Sequence, residues 1–318
     1  MSATTSSRPP RIVVLGSLNM DLVLRVPHAP GAGETLQGHS IAHIPGGKGG
    51  NQAVGCARQG AQVQLVGCVG NDSDGRALCD ALAQDGIDTS SVGIDASAPT
   101  GTALVMVDDA GQNRIVVIAG ANACVEIDEA DMAEQLQGAD FLVAQFETPL
   151  AQVARAMQAA RRSGCKVLLN PSPMQAIDDA WWPLIDTLVV NEVEAQMLSG
   201  QEADTPQQAA AAGHALRARG IARVVVTLGS RGAVAIDAAG ARHHPAMQVK
   251  AVDTTAAGDT FLGALAVALA SDDGDFDAAV QLGIRAAALC VTQHGAQPSI
   301  PQRDAVLQSP LPPAWTVL

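Results

Sequence analysis

A carboxylate in the last third of the chain stands at the predicted start of a helix. Asp259 follows Ala256, Ala257 and Gly258, which have almost no side chain, and residues 260–270 form an Ala- and Leu-rich run that predicts a helix. Bare amides at a helix N-terminus bind anions, because the N–H groups point outward and the helix dipole favours negative charge. A carboxylate beside them can take a proton from an attacking hydroxyl. The alternative interpretation is that Asp259 only caps the helix.

A glycine-rich segment lies near the other end of the chain. Residues 46–54 place four glycines around Lys48, followed by Asn51 and a helical pattern that runs to residue 59. Glycine permits close approach of the backbone to a ligand, and Lys48 and Asn51 can donate to hydroxyl or phosphate oxygens. Position 42 is Ala and position 49 is Gly, so the segment is not a P-loop. The chain also has no Gly-x-Gly-x-x-Gly, which disfavours a dinucleotide-binding protein.

In combination, these motifs resemble the ribokinase/PfkB family of carbohydrate kinases. Five further blocks follow the family's order, at residues 16–21, 119–123, 191–194, 227–232 and 295–299. The resemblance extends from about residue 12 to residue 301. It implies an α/β fold, a three-layer sandwich with a mainly parallel central sheet, and a small β-sheet lid over a sugar site.

The resemblance also implies a role for each polar position. The residues expected to hold ribose are Asn19, Asp21, Gly47, Lys48, Asn51, Glu147 and Asp259. Those expected to hold ATP are Asn191, Glu194, Thr227, Leu228, Gly229, Ser230, Arg231, Gly232, Gly258, Asp259 and Ile284. Those expected to hold K⁺, mostly through backbone oxygens, are Asp253, Thr255, Cys290, Gln293, Gly295 and Ser299. Glu194 is further expected to support Mg²⁺ through water, because Mg²⁺ tends to keep several of its waters.

Several of these positions have a simpler local interpretation. Asp21 and Glu147 would more often be ordinary loop carboxylates, and Asn191 with Glu194 has the spacing of a helix cap with an acid in the first turn. Residues 227–232 contain a Gly-Ser-Arg-Gly sequence that is also a common turn. Ile284 stands where some members of the family have a histidine beside adenine, so the preferred phosphate donor stays open.

The composition indicates a metabolic enzyme that does not act on nucleic acid or membranes. The 318 residues carry a formal net charge of −13, which disfavours binding to nucleic acid or to an anionic membrane surface. The six cysteines include no Cys-x-x-Cys pair, so we expect small core residues in a reducing, cytoplasmic compartment. No apolar run approaches the ~20 residues of a membrane span. We expect a disordered tail at 1–10, a kinase domain at 11–305 and a C-terminal tail at 306–318.

The elements that must position these residues alternate between strands and helices. Strands are predicted at residues 11–15, 63–69, 141–144, 166–169, 187–190 and 223–227. Helices are predicted at residues 51–59, 75–85, 150–163, 205–219 and 260–270. The alternation predicts a mainly parallel sheet with helices on both faces, which binds ligands beyond the carboxyl ends of its strands.

Two regions interrupt the alternation. Residues 21–26 with 35–44, and 100–107 with 114–118, predict short antiparallel strands, and residues 108–111 predict a hairpin turn between the second pair. The resemblance implies that these regions, about 20–45 and 98–118, form the lid. So small a sheet is marginal by itself, and we expect a homodimer that packs through the lid.

The predicted function is ATP-dependent phosphorylation of D-ribose at its 5-hydroxyl, giving D-ribose 5-phosphate. Asp259 would act as the base, and the amides of Ala256, Ala257 and Gly258 would stabilise the transferred phosphoryl group. Two alternatives stay open. One is a kinase of deoxyribose, fructose or a nucleoside such as adenosine, and the other is a sugar-binding regulator without catalysis.

Overall fold

The computed structural model describes residues 8–271 and 275–318, which form two sheets flanked by helices. The strands are β1 (Arg11–Leu15), β2 (Asn19–Val26), β3 (Ser40–Gly46), β4 (Gln62–Gly70), β5 (Asp88–Asp95), β6 (Gly101–Asp108), β7 (Asn113–Ile118), β8 (Phe141–Ala144), β9 (Lys166–Leu169), β10 (Thr187–Asn191), β11 (Arg223–Thr227), β12 (Ala233–Asp237), β13 (Gly240–His244) and β14 (Thr316–Val317). The helices are α1 (Lys48–Arg58), α2 (Ser73–Gln84), α3 (Glu129–Gln135), α4 (Leu150–Ser163), α5 (Glu192–Ser199), α6 (Pro206–Arg217), α7 (Ala257–Ala270), α8 (Phe276–Cys290) and α9 (Arg303–Gln308).

The large sheet has ten strands in the order β14-β13-β12-β11-β10-β9-β8-β1-β4-β5. The pairs from β5 to β11 are parallel, and β12, β13 and β14 are added antiparallel at one edge. Strand β1 lies between β4 and β8, so the chain first adds strands on one side of β1 and later adds strands on its other side. This reversal of direction opens a crevice at the carboxyl ends of the strands, where α/β sheets bind ligands.

Helices cover both faces of the large sheet, which confirms the predicted three-layer sandwich. Val13 and Leu15 of β1 belong to one buried cluster, whereas Ile12 and Val14 belong to another. Successive side chains of a strand point to opposite faces, so a strand covered on both sides reads as a continuous apolar run. Buried residues of α3, α4, α5 and α6 complete the first cluster, and those of α1, α2, α7 and α8 complete the second.

The small sheet has the order β3-β2-β6-β7 and stands apart from the large one. Each predicted hairpin pair is antiparallel, as expected, but the two hairpins join through a parallel pairing of β2 with β6. The predicted turn at 108–111 is present, since Gly111 N donates to Asp108 O at 2.8 Å. The expected strand at 35–44 was placed too early: β3 begins at Ser40 and continues to Gly46. We call this sheet the lid.

Three helices begin earlier than the sequence pattern predicted, and α2 does so by two residues, at Ser73. α1 begins at Lys48 instead of residue 51, because Gly47 takes a positive φ of 83° and its carbonyl accepts from Asn51 N at 2.9 Å. Glycines usually weaken helices, but Gly49 packs so closely on the backbone of residues 16 and 17 that a side chain would not fit. α7 likewise begins at Ala257 instead of residue 260.

Parts of both expected tails contact the rest of the fold. Residues 1–7 of the expected N-terminal tail lie outside the described residues, and Arg8 pairs with Asp140 at 2.7 Å. The helix α9 crosses the expected boundary between residues 305 and 306, and β14 adds a strand to the large sheet beside β13. Among the helices of the two described ranges, none combines the length and apolar character needed to span a bilayer.

Candidate active site

The first turn of α7 forms the centre of the candidate site. Ala256 precedes the helix in the left-handed conformation, with φ 59°, and is the one non-glycine residue with positive φ in the described ranges. A β carbon at Gly258 would meet no atom within 4 Å, so this residue faces open space. Ala256, Ala257, Gly258 and Asp259 together line a cavity of about 240 Å³. An anion in this cavity would face the positive end of the α7 dipole.

The Asp259 carboxylate is held by two side-chain amides of α1. Asn51 Nδ2 donates to Asp259 Oδ2 at 3.0 Å, and Gln52 Nε2 donates to Oδ1 at 2.9 Å. Gln145 Nε2 donates in turn to Gln52 Oε1 at 2.6 Å. The cap position of α7 is occupied by Ala256, without a side-chain hydrogen bond. The geometry therefore does not match the interpretation of Asp259 as a helix cap.

Several of the residues predicted to hold a sugar gather around the N-terminal end of α1. Glu147 Oε2 accepts from Lys48 N at 3.0 Å and from the hydroxyl of Ser17. Asn19 Oδ1 accepts from Asn122 Nδ2 at 2.8 Å, which fixes the amide of Asn19. Gly47, in its positive-φ conformation, packs against the backbone of residues 17–19. These contacts bring four of the predicted sugar positions to the carboxyl ends of β1 and β8.

At the predicted sugar positions, two buried side-chain oxygen atoms have no hydrogen-bond partner among the described residues. They are Asp21 Oδ1 and Asn51 Oδ1. Buried polar atoms are costly when they are left unpaired, so these oxygens favour a ligand with several hydroxyl groups. A larger cavity of about 540 Å³ begins at Asp21 and extends between the lid and the segments 251–255 and 294–296.

The charges in the site interact strongly. Burial disfavours the charged Lys48 ammonium, but Asp259, Glu147 and Glu194 raise the pKa of Lys48 above its ordinary value. Lys48 therefore stays cationic and can neutralise phosphate. Burial, together with the nearby Glu147 and Asp259, raises the pKa of Asp21 to about 7. Asp21 is therefore largely protonated below neutral pH when no ligand is bound.

Asn191 and Glu194 line the 240 Å³ cavity, opposite α7, and they also form a capping box at the start of α5. Asn191 Oδ1 accepts from Glu194 N at 2.8 Å, and Glu194 Oε2 accepts from Asn191 N at 3.0 Å. The local cap interpretation is thus correct for this pair. The cap uses one carboxylate oxygen of the buried Glu194 and leaves Oε1 for other ligands. A single carboxylate suits Mg²⁺ that is bound mainly by water and substrate phosphates.

A second cavity of about 310 Å³ adjoins the first and shares Thr227, Thr254, Ala257 and Gly258 with it. Of the residues predicted to line the nucleotide site, Gly229, Ser230, Gly232 and Ile284 surround this cavity. Two others do not. Leu228 is buried in the core, and the Arg231 guanidinium turns to Glu192 Oε1 at 3.1 Å. The remaining walls are mostly apolar, which suits the flat face of a purine base.

The residues predicted to hold K⁺ come from two loops that meet beside the anion turn. Asp253 Oδ1 accepts from Thr255 N at 2.9 Å and from its hydroxyl at 2.6 Å, while Asp253 Oδ2 accepts from Gly295 N at 2.9 Å. Cys290 Sγ lies 3.1 Å from Ser299 Oγ. Burial works against the charged form, but hydrogen bonds from Thr255 and Gly295 hold the pKa of Asp253 below its ordinary value.

A monovalent cation between these loops would be held mainly by backbone carbonyl groups. Asp253 already accepts hydrogen bonds on both oxygens, so its side chain would contribute mainly charge. Gln293 is exposed, and its N–H donates to Cys290 O at 3.0 Å. The backbone at residues 290 and 293 is thus tied into one turn.

Sequence reasoning missed several residues that shape the site. They are Gln52, Gln145, Ser17 and Asn122 around the sugar positions, and Met247, Val249, Ala288 and Val291 around the second cavity. Gln52 and Gln145 each stand within two residues of a predicted sugar ligand, which was an available signal. The apolar residues of the second cavity have no motif, because they meet only through the packing of α8 against the segment after β13.

Comparison with known proteins agrees with this arrangement. Residues 9–303 match the model of the pfkB family carbohydrate kinases. The chain is 41% identical to a ribokinase from Haemophilus influenzae over 93% of its own length and 97% of the relative. It is 34% identical to a deoxyribokinase from Salmonella typhi over 91% of the chain and 95% of that protein. An Arabidopsis thaliana ribokinase complexed with ribose and ATP superposes with a TM-score of 0.89, at 32% identity, over 95% of this chain and 98% of that one.

The family match extends over nearly the whole chain, and the relatives align along almost their entire lengths. The chain therefore belongs to the pfkB family of carbohydrate kinases.

Proposed function

We propose that this protein transfers the γ-phosphoryl group of ATP to the 5-hydroxyl of D-ribose. The observation that carries the proposal is the position of Asp259. Its carboxylate borders the cavity at the N-terminus of α7 and is bonded to Asn51, a member of the predicted sugar set. The proposed proton acceptor, the anion site and the sugar pocket are therefore adjacent to one another. The relatives named ribokinase support ribose as the acceptor.

In the proposed reaction, the ribose 5-hydroxyl oxygen attacks the γ-phosphorus of ATP, and Asp259 takes the hydroxyl proton. The new oxygen–phosphorus bond forms as the bond to the bridging oxygen of ADP breaks, and ADP leaves with that electron pair. The amides of Ala256, Ala257 and Gly258 and the ammonium of Lys48 stabilise the charge on the transferred group. Such transfers depend mainly on positioning and electrostatics.

Two cations complete the proposal. Glu194 and Asn191 would support Mg²⁺ on the nucleotide phosphates, and Mg²⁺ when bound supplies neutralisation of phosphate charge. K⁺ would lie between the loops that Asp253 joins, and its charge would help to hold the anion turn in shape. The proposed nucleotide base site is the apolar 310 Å³ cavity, with Ile284 in its wall.

Deoxyribose is the strongest alternative acceptor, because a deoxyribokinase is among the relatives. The buried oxygens Asp21 Oδ1 and Asn51 Oδ1, which have no partner among the described residues, favour the sugar with more hydroxyls. A site built to pair with a hydroxyl strongly rejects the analogue that lacks it. The relatives named above do not support fructose, adenosine or a role as a non-catalytic regulator.

The test is a panel of acceptors with ATP, Mg²⁺ and K⁺, in which ADP release and the phosphorylated product are both measured. We expect ribose to give the highest kcat/KM and a 5-phosphate product. Higher kcat/KM with deoxyribose, fructose or adenosine would replace the acceptor but keep the kinase. Sugar binding without turnover for any acceptor would favour the regulator.

A homodimer through the lid is part of the same proposal. Ile115, Val116, Val117 and Ile118 of the edge strand β7 are between 55 and 59% exposed. An apolar edge strand offers both unpaired backbone groups and apolar surface to a partner. We expect Val116→Glu to convert a dimer into a monomer in light scattering, and a wild-type monomer at all concentrations would refute this part.

The six cysteines are free, which supports a reducing, cytoplasmic compartment.

A further inference from the structure

Gln52 is a buried polar residue that borders none of the three cavities described above, yet it contacts the proposed base. Its side chain is fully buried in α1, and its Nε2 donates to Asp259 Oδ1 at 2.9 Å. The other carboxylate oxygen bonds to Asn51, which belongs to the proposed sugar set. The two bonds therefore differ in kind. Bound ribose would compete with Asp259 for the amide of Asn51. Gln52 lines none of these cavities, so its bond to Asp259 would remain when ribose binds.

The orientation of the Gln52 amide is set by the carboxylate of Asp259. A carboxylate only accepts hydrogen bonds when it is ionised, so Gln52 must present its NH₂ group to Asp259. Its carbonyl Oε1 then accepts from Gln145 Nε2 at 2.6 Å. Gln145 is itself fully buried, and its Oε1 packs where a β carbon on Gly16 would clash. The three side chains thus form a directional chain that ends on the base.

The backbone keeps this chain short. A β carbon on Gly263 of α7 would lie 2.7 Å from the carbonyl carbon of Gly55 in α1, so the two helices touch through their backbones. Gln52 lies one turn before Gly55, and Asp259 lies one turn before Gly263. The close crossing therefore brings the two side chains within direct hydrogen-bond distance.

From this geometry we infer that Gln52 is a positioning residue for phosphoryl transfer, with Gln145 as its support. The hydrogen bond from Gln52 holds Oδ1 of Asp259 in place. Oδ2 then stays directed at the acceptor hydroxyl when the amide of Asn51 turns from Asp259 to ribose. This inference rests on the proposed role of Asp259 as base. A base that is held slightly off its reacting geometry loses rate without losing substrate affinity.

The test compares Gln52→Met, which keeps the length of the side chain but removes both polar groups, with Gln59→Met. Gln59 directly follows the end of the same helix and is 1% exposed. Its side chain donates one hydrogen bond, to Pro301 O at 3.0 Å, and does not bond to Asp259. We expect Gln52→Met to lower kcat by about 10- to 100-fold with the KM for ribose changed less than about 3-fold. Gln59→Met should leave both constants near wild type.

A double-mutant cycle separates positioning from general damage. If Gln52 acts through Asp259, Gln52→Met should cost little further activity in an Asp259→Asn background, because the base is already absent. Equal losses in both backgrounds, or an unchanged kcat for Gln52→Met, would overturn the inference. If Gln52→Met does not fold, Gln145→Met replaces it in the same cycle, and an unchanged kcat there would equally overturn it.

The cycle is run on the best acceptor found for the wild type. A wild type that turns over no acceptor refutes the proposed function itself. An active wild type with an unaffected Gln52 variant refutes only the positioning role. The two failures are therefore distinguishable.

Discussion

Gly55 of α1 and Gly263 of α7 meet without a side chain between them, and a β carbon on Gly263 would lie 2.8 Å from Cys56 N. This contact connects the two motifs that carry the chemistry. α1 begins with the glycine-rich turn around Lys48, and α7 begins with the anion turn that contains Asp259. The distance between the proposed sugar ligands and the proposed base is therefore set by how closely these helices approach.

The first prediction concerns this helix contact. Gly263→Ala places a methyl group against the α1 backbone, and overpacking of this kind costs about 1–3 kcal/mol of unfolding free energy. We expect kcat to fall as well, because separation of the helices weakens the bonds from Asn51 and Gln52 to Asp259. Urea unfolding and steady-state kinetics measure the two effects.

A matched control for this change is Gly93→Ala in β5. A β carbon there would meet its nearest atoms at 3.7 Å, an ordinary contact distance. Stability and kcat of the control should stay close to wild type. A Gly263→Ala protein as stable and active as the control would show that the helices are not held in contact through these glycines.

The second prediction concerns the pH dependence of stability. Burial and the neighbouring carboxylates raise the pKa of Asp21 from its model-peptide value of 3.8 to about 7. Between these values the unfolded chain releases the proton and the folded chain keeps it, so Asp21 makes the folded state less stable as pH rises from about 4 to about 7. Above pH 7 both states are ionised and the effect is constant.

Asp21→Asn removes this titration while preserving the shape of the side chain. We expect the variant to gain stability relative to the wild type as pH increases through this window, measured by urea unfolding of the ligand-free protein. Asp95→Asn is the control, because hydrogen bonds from Ala98 N and Ser97 lower the pKa of Asp95 to about 2, so its difference from wild type should change below about pH 4 and not in this window. A constant difference between Asp21→Asn and wild type at all pH values would contradict the burial of a protonated Asp21.

The sequence predicted those parts of the molecule that depend on local patterns. The mostly buried runs 11–15, 141–144, 166–169 and 223–227 match strands of the large sheet residue for residue, because the central residues of a strand covered on both faces are apolar. The low helix propensity of glycine led to a predicted start of α1 that was too late. The packing of Gly49 on the neighbouring backbone overrides this local preference for a loop.

The candidate site likewise contains residues that local motifs identify and contacts that only the tertiary structure creates. Motifs identified Asp259, Lys48 and Asn51, whose types are chemically distinctive. The bond from Gln52 to Asp259 spans 207 residues of sequence, and only the tertiary crossing of α1 and α7 creates it. Arg231 was assigned to the nucleotide by its place in a motif, but its guanidinium pairs with Glu192. A pattern of residue types does not specify where a long side chain turns.

The third prediction concerns monovalent cations. At constant ionic strength and Mg²⁺, activity should rise when K⁺ replaces Na⁺, because a cation between the loops would hold the anion turn in its working geometry. Asp253→Ala should reduce that response, since Asp253 joins Thr255 to Gly295. Asp275→Ala, at the exposed cap of α8, is the control and should keep the K⁺ response. A wild type that responds equally to K⁺, Na⁺ and neither cation would refute the potassium site and leave the kinase proposal intact.

The most direct measurement of the central claim is the single-turnover rate of Asp259→Asn with ribose and ATP, beside the binding of each ligand. Asp275→Asn is the control, because Asp275 accepts from Asp277 N at 2.9 Å as a helix cap and Asn can do the same. We expect Asp259→Asn to bind both ligands while phosphoryl transfer slows by ~10²–10⁴, and we expect the control to keep its rate. Near-normal transfer by Asp259→Asn would contradict the assignment of Asp259 as the base.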